Sequence, residues 1–484
     1  MVAVVAPDST PVVAAGHDLQ ALLRAQQQAF ARDMQPSREQ RLDRLARLER
    51  LLDADAEREF AASIAGDFGC RSRVETILAE AVFTRSALRH ARRQLKSWMK
   101  PRRVPTSPIY WPGRSRLLRQ PLGVVGIISP WNYPLQLALA PLVGALAAGN
   151  RALLKPSELT PRFSQVLAQR IAAAFAPEEV AVVIGDAEVG KAFAALPFDH
   201  LVFTGSTAVG RSVAQAAAKN LTPVTLELGG KSPAIVDASA DLALVARRLA
   251  FGKLLNAGQT CIAPDYVLVP RALRDEFVAE LRRAVAALYP TIHDNPDYTS
   301  IINERHYQRL QELLADARAR GAQLVELAGD AGGGNALTRK LAPVLLLEVD
   351  DSMRVMQEEI FGPLLPVVAV DDAQAALDHV NAHERPLALY WFGRDRAARE
   401  RVLAGTVAGG VTINDTLLHI AQESLPFGGV GPSGQGHYHG EFGFRQFSKE
   451  KPVFIQSRWS GVSLLYPPYG PFTEKMLRIL ARIS

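Results

Sequence analysis

Apolar positions in the first hundred residues recur at helical spacing. This spacing predicts four helices, at residues 18–31, 37–53, 57–68 and 73–99. Ser37, followed closely by Glu39 and Gln40, is typical of a helix start, and Pro101 ends the last helix. The N-terminal part is therefore predicted to be a helical layer, preceded by a loose arm over residues 1–17.

The pattern changes beyond residue 120, where short apolar runs alternate with segments of helical period. The predicted strands are 123–129, 151–157, 180–185, 200–206, 224–228, 233–237, 266–270, 344–349, 365–370 and 387–393. The predicted helices between them are 135–148, 162–175, 207–218, 242–255, 274–288 and 304–320. This alternation indicates the α/β class, with parallel sheets and right-handed crossovers. Two lobes are expected, joined near Gly229 and Gly230.

Three further segments lie outside this alternation. Residues 102–120 and 444–457 are predicted to be long exposed strands, and 328–336 a glycine-rich surface loop. Exposed strand edges pair readily with other chains, so the two strands point to a subunit contact.

Composition excludes several classes of protein. The 484 residues are 48% apolar and 21% charged, which rules out disorder, collagen and coiled coil for the whole chain. The two cysteines, Cys70 and Cys261, form no disulfide framework and fit a reducing compartment, so we expect a cytoplasmic protein. Residues 121–149 carry no charge, but four prolines interrupt them, and the C-terminal TEKMLRILARIS is too short to span a membrane.

The net charge of +6 has a local source. Eleven basic residues and no acidic ones lie between Arg85 and Arg119. Such a stretch can bind nucleic acid. We favour a solvated face with a subunit contact, because no nucleic-acid motif accompanies it.

Two glycine patterns need to be separated. Gly429, Gly431 and Gly434 match GxGxxG, but no strand precedes them and no helix follows, which favours a loop. GSTAVGRS, over 205–212, follows a strand and opens a helix, although Arg211 replaces the lysine of a phosphate loop. We therefore predict that this segment is a pyrophosphate-binding site that does not catalyse phosphoryl transfer.

Three further groups of residues are candidates for catalysis or metal binding. Cys261 lies in NAGQTCIAPDY, whose small and polar residues indicate a loop where a thiol can react. Glu227 ends a buried strand before two glycines, where burial would raise its pKa towards that of a general base. These local patterns alone also allow a purely structural role for Cys261 and for Glu227. His379 and His383 stand four residues apart without an apparent third ligand, so no metal site is predicted.

Together these residues resemble the aldehyde dehydrogenase superfamily. PWNYP (130–134), KPSE (155–158), FTGS (203–206), LELGGKSP (226–233), GQTC (258–261) and EEIFGP (358–363) occur in the order and spacing of that family. WMKPRRVP, CIAPDY and LPFGGVGPSGQGHYHG are similar to its class 3 branch, and YTSIIN to the bacterial coniferyl aldehyde dehydrogenase group.

The resemblance implies a mechanism. Cys261 would attack an aldehyde, Asn132 and the Cys261 backbone N–H would stabilise the oxyanion, and Glu227 would activate the hydrolytic water. NAD would be the cofactor, with NADP as the alternative. The residues implied to bind it are Trp131, Lys155, Glu158, Gly205, Ser206, Gly210, Glu359 and Phe361. Tyr133 and Thr416 would line the substrate pocket.

The resemblance also implies an organisation. The fold would comprise two Rossmann-like lobes and a small β oligomerisation segment. Residues 18–107 and 121–229 would form the cofactor-binding domain and 230–424 the catalytic domain. Residues 108–120 and 444–457 would be oligomerisation strands, and 458–484 a tail. A homodimer is expected, acting on medium-chain aliphatic, aromatic or coniferyl-type aldehydes.

Two rival functions use the same residues. A cofactor-independent cysteine esterase would need only Cys261 and Asn132, which leaves KPSE and EEIFGP without a purpose. A non-catalytic scaffold predicts the loss of Cys261 or Glu227, and both are present.

Overall fold

The structure is a computed structural model that describes residues 18–328 and 334–483. Its helices are α1 Leu19–Arg32, α2 Arg38–Arg50, α3 Ala54–Phe68, α4 Arg73–Thr76, α5 Phe83–Trp98, α6 Pro134–Ala148, α7 Pro161–Ala174, α8 Ala187–Ala194, α9 Thr207–Ala218, α10 Leu242–Leu254, α11 Arg274–Leu288, α12 Glu304–Ala319, α13 Arg354–Gln357, α14 Ala373–Ala382, α15 Arg396–Gly405, α16 Gly440–Gln446 and α17 Pro471–Ile483.

The strands are β1 Arg102–Val104, β2 Arg114–Pro121, β3 Val124–Ile128, β4 Arg151–Lys155, β5 Val180–Val182, β6 His200–Thr204, β7 Val224–Glu227, β8 Pro233–Val236, β9 Tyr266–Pro270, β10 Gln323–Glu326, β11 Gly334–Asn335, β12 Lys340–Leu341, β13 Val344–Leu347, β14 Leu364–Val370, β15 Ala388–Phe392, β16 Gly410–Ile413, β17 Gly434–Gln435 and β18 Ser448–Ile455.

The strands form two large sheets, as the alternating pattern predicts. One has six strands in the order β17-β7-β6-β3-β4-β5 and the other seven, in the order β10-β13-β14-β9-β8-β15-β16. Each is parallel except for one antiparallel edge strand, β17 or β10. The chain passes from the first sheet to the second between Glu227, which ends β7, and Pro233, which begins β8. The α/β class and the two Rossmann-like lobes are confirmed.

The helical layer packs on the first sheet around α6. All but one residue of α6 are buried, which matches its uncharged sequence, and the helix packs against α2, α5 and α16. Each fully buried leucine contributes roughly 1.5–3 kcal/mol to stability. The predicted helix 73–99 is interrupted, because Ile77–Val82 is a π-helix between α4 and α5. Such segments are frequent at functional sites.

A third, antiparallel sheet projects from these lobes, in the order β1-β2-β18. It accounts for the two predicted exposed strands, with shorter bounds. Residues 108–110 form a 3₁₀ turn, and residues 444–446 end α16 rather than beginning a strand, because Phe444 is buried against Trp98. Residues 329–333 of the predicted loop 328–336 lie outside the described residues, and Gly334–Asn335, within its predicted bounds, form β11, which pairs with β12.

The basic stretch is partly neutralised. Arg85 pairs with Glu57, Arg92 pairs with Glu49, and Arg119 contacts Glu441 at 2.8 Å. These ion pairs join neighbouring elements of the helical layer and the projecting sheet.

Candidate active site

The predicted nucleophile and base line one apolar pocket. Its volume is about 1100 Å³, including space open to solvent, and both Cys261 and Glu227 contact it. Most of its walls are hydrophobic: Leu78, Phe83, Leu137, Phe251, Leu255, Ile262, Leu417, Leu418, Ile420 and Phe427. A mostly apolar cavity with a few reactive groups is typical of a small-molecule site.

The loop that carries Cys261 is held in an unusual conformation. Asn256 and Ala257 have φ values of 55° and 51°, and Gly258 follows with φ 77°. Three left-handed residues in succession are costly unless the surroundings fix them. A Cβ on Gly258 would lie 2.3 Å from the Gly362 carbonyl oxygen, so glycine is required where this loop meets the EEIFGP loop.

Asn132 is buried within the same network. Its Nδ2 donates to the Gln259 carbonyl oxygen at 3.1 Å, and its own carbonyl oxygen accepts from Asn256 Nδ2 at 3.0 Å. The Gln259 side chain in turn donates to Ser300 and accepts from the Ile302 backbone. The structure therefore brings Asn132 next to the Cys261 loop. The positioning roles of Asn256 and Gln259 were missed, although Gln259 belongs to GQTC and Asn256 lies just before it.

A buried ion pair, also missed from the sequence, holds Asn132 from the other side. Arg71 Nη1 lies 3.1 Å from Glu80 Oε1 and donates to the Asn132 carbonyl oxygen at 3.0 Å. Glu80 Oε2 accepts from the backbone N–H groups of Leu135 and Gln136 at the start of α6. A carboxylate at a helix N-terminus is stabilised by the helix dipole. The π-helix places Glu80 where it can do this.

Glu227 ends β7 and is buried at the pocket. Within the described part of the chain, neither carboxylate oxygen has a hydrogen-bond partner. Burial raises the pKa of Glu227 well above its ordinary value. The group is thus a carboxyl whose proton affinity suits a general base, as the sequence predicts. The GxGxxG segment runs beside it as a loop, and Gly434 pairs with Glu227.

The thiol of Cys261 shares this environment. Burial, with the nearby charges of Glu359 and Glu227, raises the pKa of Cys261 to about 12. At neutral pH Cys261 is therefore a thiol, and formation of its thiolate depends on proton transfer or on a nearby positive charge.

This shift predicts a steep pH dependence of alkylation. Without dinucleotide, the rate of Cys261 alkylation by iodoacetamide should rise about tenfold per pH unit from pH 7 to pH 9, because the thiolate fraction does so. Peptide mass spectrometry of a Cys70→Ala variant measures this rate at Cys261 alone. A plateau below pH 9 would contradict the elevated pKa.

The predicted adenosine side of the cofactor cleft lies at the carboxyl ends of the first sheet. Lys155 ends β4, and its Nζ lies 3.1 Å from Glu158 Oε2. Gly205 follows β6, and Ser206 is the N-cap of α9, so both lie at a helix N-terminus suited to phosphate. Gly210, by contrast, is a packing position. A Cβ on Gly210 would lie 2.5 Å from Leu228 Cδ2, so the absence of a side chain lets α9 pack on Leu228.

The predicted nicotinamide side is formed by Glu359 and an aromatic cluster. A Cβ on Gly229 would lie 2.0 Å from Glu359 Oε2, so only glycine leaves room for this side chain. Burial raises the pKa of Glu359 to about 8. Trp131 lies 5.4 Å from the Phe361 ring and 5.2 Å from that of His306. No sequence motif indicated His306.

Side chains from two other elements anchor this loop. Arg309 of α12 donates to the Glu359 carbonyl oxygen at 3.2 Å and to Glu358 at 3.0 Å. Lys231 pairs with Asp265 and donates to the Val355 carbonyl oxygen. These contacts fix the EEIFGP loop against the Cys261 loop.

One of the two predicted pocket-wall residues is placed correctly. Tyr133 lines the pocket, and its hydroxyl lies 2.7 Å from Thr260 Oγ1. The prediction for Thr416 is wrong: its side chain donates to the Arg248 carbonyl oxygen and packs on Gly252. Leu417 has a φ of 63°, and it lines the pocket instead.

The histidine pair does have a third potential ligand. Asp351, from the turn before α13, lies 3.1 Å from His383 Nε2. The sequence did not make this third residue apparent, because Asp351 lies well before α14 in the chain.

No helix in residues 18–328 and 334–483 is both long and apolar enough to cross a membrane. The C-terminal segment forms α17, which is shorter than a span requires.

Comparison with known proteins agrees with this geometry. The model of the aldehyde dehydrogenase family matches residues 10–453. Coniferyl aldehyde dehydrogenase of Pseudomonas sp. strain HR199 is 51% identical over 442 residues, which are 90% of this chain and 91% of that protein.

Two solved structures extend the likeness to the fold. The substrate-bound AldH of Staphylococcus aureus has a TM-score of 0.90 at 38% identity, covering 96% of this chain and all of that one. The NAD-dependent aldehyde dehydrogenase of Sinorhizobium meliloti has a TM-score of 0.81 at 28% identity, covering 94% of this chain and 88% of that one. The chain therefore belongs to the aldehyde dehydrogenase family and is an oxidoreductase that acts on aldehydes.

Proposed function

We propose that this enzyme oxidises coniferyl-type and related aromatic aldehydes to carboxylic acids with NAD(P). The observation that carries this proposal is the apolar pocket of about 1100 Å³ with Cys261 and Glu227 in its wall. Its size admits a substituted phenylpropenyl aldehyde, and medium-chain aliphatic aldehydes fit the same walls.

Two features of the pocket support an aromatic substrate with a polar substituent. Phe83, Phe251 and Phe427 contribute aromatic wall, and aromatic rings pack well against one another. Glu423 and His439 are polar groups in the same pocket, and burial raises the pKa of Glu423 to about 7. Either group can bind a phenolic hydroxyl. The relative from Pseudomonas sp. strain HR199 carries the name coniferyl aldehyde dehydrogenase.

The proposed reaction begins at Cys261. Its sulfur forms a bond to the aldehyde carbon while the carbonyl electron pair moves to oxygen, giving a thiohemiacetal. The thiol proton passes to a base of the site. Asn132 Nδ2 and the Cys261 backbone N–H stabilise the oxyanion. In other enzymes, removal of one such donor raises the activation free energy by about 2.7–4 kcal/mol.

Loss of a hydride converts the thiohemiacetal into a thioester. Glu227 then accepts a proton from water, whose oxygen attacks the thioester carbon. The carbon–sulfur bond breaks, the acid leaves, and the thiol is restored. The buried position of Glu227 in the pocket wall supports this role.

The residues of the cleft fit a nicotinamide dinucleotide. Glu359 Oε1 is a buried acceptor without a hydrogen-bond partner in the described ranges, and a ribose hydroxyl would supply the donor. Lys155 and Glu158 would bind the adenosine ribose. The pyrophosphate would bind at the start of α9, next to Gly205 and Ser206 and to the turn that contains Gly210. Trp131 and Phe361 would flank the nicotinamide, which supplies the hydride acceptor when bound.

Glu158 is proposed to favour NAD over NADP. Its side chain is 45% exposed beside Lys155, where a carboxylate repels a 2′-phosphate. In Glu158→Gln, the ratio of kcat/KM for NADP to that for NAD should rise roughly tenfold, equivalent to about 1.4 kcal/mol. Glu59→Gln, at a 42% exposed glutamate of α3, is the matched control. An unchanged ratio in Glu158→Gln would contradict this role.

We also propose a cytoplasmic homodimer. The projecting sheet leaves β18 with a free edge in the described chain, and Phe454 and Ile455 on it are 49% and 46% exposed. Tyr110 and Trp111 add exposed aromatic surface beside it. A second copy would cover these groups.

The experiment that tests the function measures dinucleotide reduction by the purified protein with hexanal, benzaldehyde and coniferaldehyde, using NAD and NADP separately. We expect coniferaldehyde to give the highest kcat/KM and NAD to be preferred. Equal or better turnover of hexanal would overturn the substrate class. Aldehyde-independent ester hydrolysis without dinucleotide reduction would overturn the reaction.

A further inference from the structure

A cluster of two histidines and one aspartate lies away from the substrate pocket, on the second sheet's helices. His379 is on α14, His383 follows the end of that helix, and Asp351 is in the turn before α13. One potential ligand atom from each residue lies within 4.8 Å of the other two. We propose that this cluster binds a divalent transition-metal ion of the zinc class.

The hydrogen bonds of His383 point to a cation. Its Nδ1 lies 2.7 Å from the His379 carbonyl oxygen, and its Nε2 lies 3.1 Å from Asp351 Oδ1. Both partners are acceptors, whereas a neutral imidazole carries only one N–H. With the proton on Nδ1, the Nε2 lone pair faces a carboxylate. Either a second proton on Nε2 or a metal ion between the two groups satisfies both, and a carbonyl that fixes Nδ1–H is the usual support of a metal-binding histidine.

His379 completes the set. Its Nε2 is buried and has no hydrogen-bond partner among the described residues. The two imidazole rings are 4.6 Å apart, centre to centre, and the Tyr266 ring lies 5.5 Å from that of His379. The tyrosine ring packs beside the pair. A buried, unpaired ring nitrogen beside a second histidine and a carboxylate is available for coordination.

The donor set selects the class of ion. Two imidazole nitrogens and one carboxylate oxygen suit Zn²⁺, whose fourth position would hold water. Ca²⁺ and Mg²⁺ prefer sets composed of oxygen atoms. Zinc ligands at about 2.0–2.1 Å in a tetrahedron are roughly 3.3 Å apart, so modest side-chain rotations close the cluster.

The site would tie two elements together near the cofactor cleft. The Asp351 carbonyl oxygen accepts a hydrogen bond from Gln357 Nε2 at 2.9 Å, and Gln357 ends α13 just before Glu358 and Glu359. A bound ion therefore fixes the turn that leads into the EEIFGP loop. None of the three ligand residues lines the substrate pocket. We therefore expect the bound ion to stabilise this region of the fold.

The test is metal binding by the full chain in a Cys261→Ala background, which removes the reactive thiol. Metal-free protein is titrated with Co²⁺ and followed by its visible d–d absorption, then competed with Zn²⁺. We expect one equivalent per chain, with tetrahedral d–d bands and no thiolate-to-cobalt charge-transfer band. His383→Gln and Asp351→Asn should each weaken Zn²⁺ affinity roughly 100-fold.

Matched controls separate coordination from folding. His90→Gln and Asp371→Asn change a histidine and an aspartate outside the cluster and should leave the affinity unchanged. Circular dichroism shows whether each variant is folded, and wild-type thermal stability with and without Zn²⁺ gives a second readout. Binding that survives in folded His383→Gln, a thiolate band from Cys70, or no saturable binding by the wild type would each overturn the proposal.

Discussion

Replacement of Cys261 by alanine should abolish aldehyde-dependent dinucleotide reduction, lowering kcat roughly 10⁴-fold or more. The reason is that Cys261 carries the one thiol of the described pocket wall. Thr204, Thr260 and Tyr133 also line it, but a hydroxyl is a much weaker nucleophile than a thiol. Steady-state reduction of NAD with coniferaldehyde measures the loss.

Cys70→Ala is the control for this variant. Cys70 is the other thiol of the chain, and its sulfur lies 3.7 Å from the Pro296 carbonyl oxygen, outside the substrate pocket. This variant should keep wild-type kcat. Normal turnover in Cys261→Ala would contradict the assignment of the nucleophile, and loss in Cys70→Ala alone would move that role to the other thiol.

Most of the fold follows from local sequence pattern. Buried strands such as β3 and β6 are continuous apolar runs, and helix boundaries agree where caps are explicit, as Asp18 is for α1 and Ser37 for α2. The π-helix at residues 77–82 was not predicted, because its apolar spacing resembles that of an ordinary helix. Its cause is tertiary: Glu80 reaches the backbone of α6.

The site was predictable where motifs lie near strand ends. Cys261 and Glu227 meet at one pocket because β7 and the loop before β9 open towards each other across the junction of the sheets. Residues that act by long-range contact left no local signal. Arg71 reaches the Asn132 backbone from the helical layer, and His306 meets Trp131 from α12.

The error at Thr416 has the same origin. Alternation along the chain does not reveal that Leu417 takes a left-handed conformation, which turns the following residues towards the pocket. The neighbouring threonine is then directed at the Arg248 carbonyl oxygen. A single backbone torsion thus decides which side chain forms the wall.

Glu227→Gln should separate the two halves of the reaction. The amide cannot accept a proton from water, so hydrolysis of the thioester should slow roughly 10²–10⁴-fold. Formation of the thioester needs Cys261 and the oxyanion donors, which the change leaves in place. The expected result is a first-turnover burst of about one dinucleotide reduced per site, followed by a slow steady rate.

Intact-mass spectrometry provides the second readout for this variant. With coniferaldehyde and NAD, Glu227→Gln should accumulate a covalent adduct whose mass is that of the aldehyde less two hydrogens, and Cys261→Ala should show none. The substitution is nearly isosteric, and neither oxygen of Glu227 has a hydrogen-bond partner among the described residues, so the fold loses no contact there. A variant that loses the burst together with the steady rate would show that Glu227 acts before hydrolysis, at the deprotonation of Cys261. The burst and the covalent adduct together therefore distinguish a role of Glu227 in hydrolysis from a role in the deprotonation of Cys261.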